Sequence, residues 1–151
     1  MTRARPLGQI RDVPNKQPVS PEHARLETLR DALLALHKSL MDSERVGYEA
    51  VFGTITSNNH FLSLLLQDPW FAWLRPVSAL LAVMDETLDA KDEPVSSAAV
   101  EQLTNQVRSL LKASDSGVGF EKNYYDALQR DPDVVMAHAA VAKLIHQPPN
   151  S

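Results

Sequence analysis

The sequence predicts an all-helical fold, a bundle of about four long helices with several short ones. Three times a serine or an aspartate stands directly before a proline, at Ser20-Pro21, Asp68-Pro69 and Asp131-Pro132. The side-chain oxygen of either residue can accept a hydrogen bond from the unpaired amides of a first helical turn, where the N–H that proline lacks is not needed. Apolar residues at helical spacing follow each pair, and no stretch alternates apolar and polar residues as a strand would.

The first helix is predicted from Pro21 to about Phe52, and Gly53 follows it as a C-cap. One apolar stripe runs along it in alternating steps of three and four residues, through Leu26, Leu29, Leu33, Leu36 and Leu40. A helix of this length spans about 50 Å, which is long for so small a domain. A break or kink is therefore an alternative, with Gly47 as its place.

The middle of the chain predicts a short buried helix over residues 60–67 and a long helix from Pro69 to about Asp89. Pro76 lies inside the long helix. The ring of an internal proline clashes with the preceding turn, so a kink is predicted near Trp73. The alternative is two short helices that meet there.

Three more helices are predicted after an acidic loop. The first begins at Ser96 or Ser97 and ends at about Ala113. A shorter helix covers residues 120–130, and the last covers residues 132–146, where two prolines stop it.

The predicted organisation is one helical domain over residues 20–147. A flexible basic tail over residues 1–19 precedes it, and a short tail over residues 148–151 follows it. The first tail contains three prolines and lacks an apolar stripe that could pack on the domain.

Composition and charge exclude several classes of function. The 151 residues are 44% hydrophobic and 23% charged, as in an ordinary globular domain. The chain has no cysteine, which excludes disulfides, thiolate catalysis and cysteine-ligated metal centres. Its formal net charge is −4 and residues 1–19 carry +3, so the acidic remainder carries −7 and argues against a nucleic-acid surface.

The location of the protein is predicted from its apolar segments. No run approaches the roughly 20 apolar residues that a membrane helix needs, and the N-terminal residues lack the apolar core of a secretory signal. We therefore expect a cytoplasmic protein that binds neither nucleic acid nor a membrane.

His37, Glu44 and His138 form the first candidate site, a polar site in the core. His37 and Glu44 lie seven residues apart on one side of the first helix, and His138 lies on the apolar face of the last helix. Converging histidines and carboxylates form metal sites in bundles, but the chain contains neither Glu-x-x-His nor His-x-x-x-His. We expect a hydrogen-bonded or partly exposed polar pair, without a metal or a cofactor.

Trp70, Trp73 and Arg75 form the second candidate site. Indole faces attract a guanidinium, so an arginine held beside them can bind a carboxylate or a phosphate. The alternative is an aromatic anchor of the core, with Arg75 held by Asp68 or another acid. Trp70 shares the apolar stripe of its predicted helix, so its side chain is expected to be buried.

Small residues on the first helix extend this candidate site. Glycine inside a helix costs about 1 kcal/mol relative to alanine, so we expect Trp70 or Trp73 to approach Gly47 closely. The alternative is a ligand or partner groove lined by Trp70, Trp73, Arg75, Ser43 and Gly47.

No residues are arranged for catalysis. Gly117-Val118-Gly119 precedes a helix but lacks the strand, the third glycine and the lysine of phosphate-binding loops. The chain has no nucleophile elbow, and a helical bundle offers no strand on which to build one. We assign no catalytic residue, and an enzyme is the third choice.

Three segments resemble an uncharacterised family of small bacterial all-helical proteins. They are LHKSLMDSER at 36–45, DPWFAWLRP at 68–76 and LQRDPDVV at 128–135. The resemblance covers most of the chain after the N-terminal tail and implies a soluble bacterial protein. No activity is attached to the family, so no functional residue is carried over from it.

The sequence favours a non-enzymatic helical module that binds a protein partner or associates with itself. The lack of a catalytic arrangement and the acidic body with its basic tail favour this interpretation. The alternative is a helical bundle that binds a small ligand or a metal through the candidate residues above.

Overall fold

The computed structural model describes residues 19–146, and all regular structure in this range is helical. The α-helices are α1 (Pro21–Phe52), α2 (Asn58–Gln67), α3 (Arg75–Asp89), α4 (Ser97–Leu110), α5 (Phe120–Arg130) and α6 (Pro132–Ile145). A 3-10 helix at Pro69–Leu74 lies between α2 and α3. The predicted all-α class is confirmed. A four-helix bundle as the arrangement of the longer helices stays a prediction. The predicted tails lie outside the described residues, apart from Val19.

The three predicted oxygen-proline pairs all begin helices. The Ser20 hydroxyl accepts a hydrogen bond from the His23 N–H at 3.0 Å. The Asp68 carboxylate accepts one from the Trp70 N–H at 2.8 Å, and the Asp131 carboxylate accepts one from the Asp133 N–H at 2.9 Å. These local bonds fix where α1, the 3-10 helix and α6 begin.

α1 is the central helix of the fold, and α3, α4, α6 and the 3-10 helix all pack against it. Its five predicted leucines are all buried. The helix continues through Gly47, so the break considered there does not occur. It ends where predicted, at Gly53, whose φ of 96° suits a residue without a side chain.

At Pro76 the structure has the alternative that the sequence allowed, two helices that meet. The 3-10 helix ends at Leu74, and α3 begins at Arg75. Pro76 therefore lies in the first turn of α3, where its missing N–H leaves no helical bond unmade. The sequence placed one long helix here because its apolar spacing continues through the junction.

The short helix α2 is not buried as predicted. It begins at Asn58 behind a Ser57 cap, and none of its residues is buried. Phe61, Leu64 and Leu65 pack half-buried against the core, whereas Leu62 and Leu66 are 54% and 64% exposed. Five apolar residues within six positions cover more than one side of a helix, so some must face outward.

The burial predicted for Trp70 is also wrong. Trp70 is half-buried, and Phe71 and Leu74 are the buried residues of the 3-10 helix. A 3-10 helix has three residues per turn, so residues three apart share a face. Phe71 and Leu74 share the inner face, while Trp70 and Trp73 share another. The sequence prediction used α-helical spacing and selected the wrong aromatic ring.

The difference in burial between Trp70 and Phe71 predicts how much each side chain contributes to stability. Phe71→Ala removes a fully buried ring and should lower the free energy of unfolding by about 3–5 kcal/mol. Trp70→Ala removes the larger ring from a half-buried site and should cost less. Urea denaturation of both variants measures the difference. A larger loss for Trp70→Ala would contradict the burial pattern.

Candidate functional site

The three residues of the predicted polar core site lie in three different surroundings. His37 lines a pocket beside α2, and Glu44 binds Arg130. His138 Nδ1 lies 2.6 Å from the Tyr124 hydroxyl. In residues 19–146, no three His, Asp or Glu side chains are grouped so that they could hold a metal ion. The geometry therefore separates residues that the sequence placed in one candidate site.

Burial shifts the titration of these histidines and of Tyr124. Desolvation lowers the pKa of His37 below its ordinary value of 6.5. The pKa of His138 is also lowered, first by desolvation and then by the nearby His146. Desolvation raises the pKa of Tyr124 far above its ordinary range. At neutral pH these groups are uncharged, which suits their buried surroundings.

The predicted groove residues do not line one groove. Ser43, Gly47 and Trp70 meet in a cavity of about 270 Å³, which we call the Trp70 pocket and which Glu44, Val46, Arg130 and Asp131 also line. Arg75 lies in a different pocket. Trp73 packs edge-on against Phe120 with ring centroids 5.3 Å apart.

Trp70 explains the glycine inside α1. A side-chain carbon built at Gly47 would lie 3.3 Å from Trp70 Cζ2, closer than most such contacts. The expected close approach of a bulky neighbour to Gly47 is confirmed. The Trp70 indole N–H also donates to the Glu44 carbonyl at 3.2 Å, which fixes the ring along α1.

Arg130 completes the polar network of the Trp70 pocket. Its Nε donates to the Ser43 hydroxyl at 2.9 Å, and its Nη2 donates to the Glu44 carboxylate. This side chain ties the end of α5 to α1. Sequence reasoning missed Arg130, although Glu44 on an apolar stripe indicated that a cation must lie nearby. Because these groups bind one another, the network is structural.

The second pocket, which we call the α2 pocket, lies between α1, α2, the 3-10 helix and α3. Its cavity of about 230 Å³ has three polar side chains, His37, Arg75 and Ser78. Its other walls are apolar and come from Met41, Leu62, Leu65, Leu66, Phe71 and Leu74. Apolar walls with a few polar groups are typical of a binding site.

Main-chain carbonyls hold Arg75 at the edge of the α2 pocket. Its Nε donates to the Leu65 carbonyl at 3.2 Å, and its Nη2 donates to the Asp68 carbonyl at 3.0 Å. Within residues 19–146, no carboxylate lies within 4 Å of the guanidinium. Asp68 does hold Arg75, as the sequence allowed, but through its main-chain carbonyl and not through its carboxylate.

The α2 pocket combines residues that the sequence assigned to separate sites. His37 was predicted in the polar core site and Arg75 in the aromatic groove, and the leucines of α2 were predicted as core. The run of apolar residues over 61–66 was the available signal, because a ten-residue helix cannot bury all of them. The arrangement supplies apolar contact, one cation and one neutral imidazole, which together suit binding.

Comparison with models of protein families, with curated proteins and with solved structures found no match for this chain. The resemblance to a family of small bacterial proteins therefore stays a prediction. None of the helices in residues 19–146 has the length and apolar character needed to cross a membrane.

Removing Arg130 should destabilise the fold by leaving Glu44 without its cation. The Glu44 side chain is only 11% exposed, so Arg130→Ala should cost about 1–3 kcal/mol in unfolding free energy. Lys38→Ala is the control, because its ion pair with Asp42 is exposed and should change little. Adding Glu44→Gln to Arg130→Ala should recover part of the loss in urea denaturation. Equal losses for Arg130→Ala and Lys38→Ala would contradict a structural network.

The lowered pKa of His37 predicts a pH dependence of stability. The unfolded chain binds a proton at His37 near pH 6.5, and the folded chain binds it only at lower pH. Unfolding free energy should therefore fall as the pH drops below about 6.5, because the unfolded state binds more protons. His37→Gln should make this fall shallower between pH 7 and 5, and His138 should keep part of it. Identical slopes for the two proteins would show that His37 does not contribute.

Proposed function

We propose that the protein is a non-enzymatic interaction module that docks an apolar segment of a protein partner at the α2 pocket. The observation that carries the proposal is the position of Leu62 and Leu66. These two exposed side chains line a concave pocket whose inner wall includes the buried Phe71.

The two exposed leucines form one apolar strip. They lie four residues apart, so they are neighbours on the same side of α2. Single exposed apolar residues are normal on protein surfaces, whereas an apolar strip that continues into a pocket is typical of a binding surface. Covering such a surface contributes a favourable free energy of roughly 25 cal/mol for each Å² of apolar surface removed from water.

The size of the α2 pocket favours a protein segment over a small molecule. Its volume of about 230 Å³ lies below the roughly 300–1,000 Å³ that is typical of small-molecule sites. One apolar side chain can fill the pocket while its neighbours cover Leu62 and Leu66. An amphipathic helix supplies apolar side chains at this spacing. The bacterial and cytoplasmic setting expected from the sequence is part of the same proposal.

A pair of charge-introducing variants tests the docking site. Leu66→Glu places a carboxylate on the strip, and Met136→Glu does the same at an equally accessible apolar residue on α6, which is 73% exposed. Both should keep the unfolding free energy within about 0.5 kcal/mol of wild type. Immobilised wild type and Met136→Glu should retain the same protein from a lysate of the source cells. Immobilised Leu66→Glu should retain at least tenfold less of that protein.

Equal retention by all three immobilised proteins would contradict the proposed site. Sedimentation velocity of the purified proteins gives a second measurement, in which wild type should be monomeric. A dimer that only Leu66→Glu dissociates would replace the separate partner by a second copy of this chain.

A further inference from the structure

We infer that the partner segment docked in the α2 pocket carries a carboxylate beside its apolar anchor, and that Arg75 receives this carboxylate. The inference rests on the docking function proposed above and names the chemistry of the partner. Three features of the described residues support it: the unneutralised charge of Arg75, its fixed position and the neighbouring His37.

The charge of Arg75 is only partly offset by the other residues in the range 19–146. Its two bonded acceptors are neutral carbonyls, and its Nη1 has no hydrogen-bond partner in residues 19–146. Leu65 lies in the last turn of α2, where the helix dipole supplies at most about half a negative charge. The acid nearest to Arg75 in the sequence, Asp68, accepts the Trp70 N–H as a helix cap. A half-buried cation therefore keeps net positive charge beside an apolar cavity.

A comparison with the other described arginines distinguishes Arg75. Arg25, Arg30, Arg45 and Arg130 each lie within 4 Å of a carboxylate. Arg108 has no such acid among residues 19–146, and it donates to Asn105 and to the Ile145 carbonyl at the end of α6. It is not among the residues of the α2 pocket. Arg75 thus combines an unneutralised charge with a docking surface.

The carbonyl bonds also fix the direction of the guanidinium. Arginine binds a carboxylate best when its planar group is already oriented, because less side-chain freedom is lost on binding. Two bonds to main-chain carbonyls provide that orientation and leave Nη1 for an incoming acceptor. An ordered cation of this kind selects for a carboxylate and against a lysine or arginine on the partner.

His37 adds a neutral donor to the same pocket. Burial lowers its pKa, so the imidazole is uncharged at neutral pH and carries one ring N–H. That N–H can donate to a carboxylate that reaches Arg75 from the mouth of the pocket. The cation and the donor come from α3 and α1, and the apolar strip comes from α2. The complementary segment is an amphipathic helix with an Asp or Glu within one turn of its apolar anchor.

A displayed library of random peptides tests the inference while the partner is unidentified. Peptides are selected on wild type, and those that also bind Leu66→Glu are removed. The retained sequences should pair a Leu, Ile, Met or Phe with an Asp or Glu within one helical turn. On wild type, replacing that acid in the peptide by its amide should weaken binding about tenfold. Added salt should weaken the acidic peptide more than its amide form.

Variants of the protein identify the receiving group. On Arg75→Gln, the acidic peptide and its amide form should bind equally, whereas Arg108→Gln should keep the tenfold difference. Arg75→Gln also loses bonds to carbonyls around α2, so the acid-to-amide change measured on wild type is the deciding result. Retained peptides without acids, or with basic residues instead, would overturn the inference and leave the docking function in place. If no peptide binds wild type more tightly than Leu66→Glu, the docking function itself is overturned.

Discussion

The 3-10 turn at Pro69–Leu74 determines how the interior and both pockets are formed. Residues three apart share a face in this geometry, so Phe71 and Leu74 enter the core together. Trp70 turns toward α1 and reaches Gly47, while Trp73 reaches Phe120 at the start of α5. The turn then places the next residue, Arg75, against the end of α2. The Asp68 carboxylate caps the start of this 3-10 helix.

The helices were predicted well because their caps and apolar stripes are determined by residues that lie close together in the sequence. A side-chain oxygen before a proline, as at Ser20-Pro21, determines a helix start from adjacent residues alone. The leucine stripe of α1 is similarly contained in one segment. The exposure of Leu62 and Leu66 has a different origin, because it depends on where α2 lies relative to the 3-10 helix.

The candidate site was only partly predictable for the same reason. A glycine inside a helix required a large neighbour, and that requirement correctly pointed to a bulky ring near Gly47. His37 and Arg75 line one pocket although they lie 38 residues apart in the sequence. No spacing within either segment of the chain encodes this shared pocket. The sequence predicted Trp70 instead of Phe71 as the buried ring. Apolar spacing over six residues cannot distinguish a 3-10 helix, with three residues per turn, from an α-helix, with 3.6.

The two pockets differ in whether their arginine is paired with a carboxylate. In the Trp70 pocket, the cation of Arg130 and the carboxylate of Glu44 bind each other, which stabilises the contact between α5 and α1. In the α2 pocket, Arg75 bonds to carbonyls that orient it without neutralising it. The same residue type therefore has a structural role in one pocket and is available for an incoming acid in the other.

Arg75 also helps to hold α2 in place, because α2 is only weakly attached to the rest of the fold. α2 has no buried residue, and its main contact is with the 3-10 helix, including the edge-on packing of Phe61 against Phe71. Helices with few buried apolar contacts have low local stability. The bond from Arg75 to the Leu65 carbonyl holds the end of this helix. A carboxylate on Arg75 would share a guanidinium that already positions α2, so occupation of the pocket and the placement of its leucine wall are physically linked.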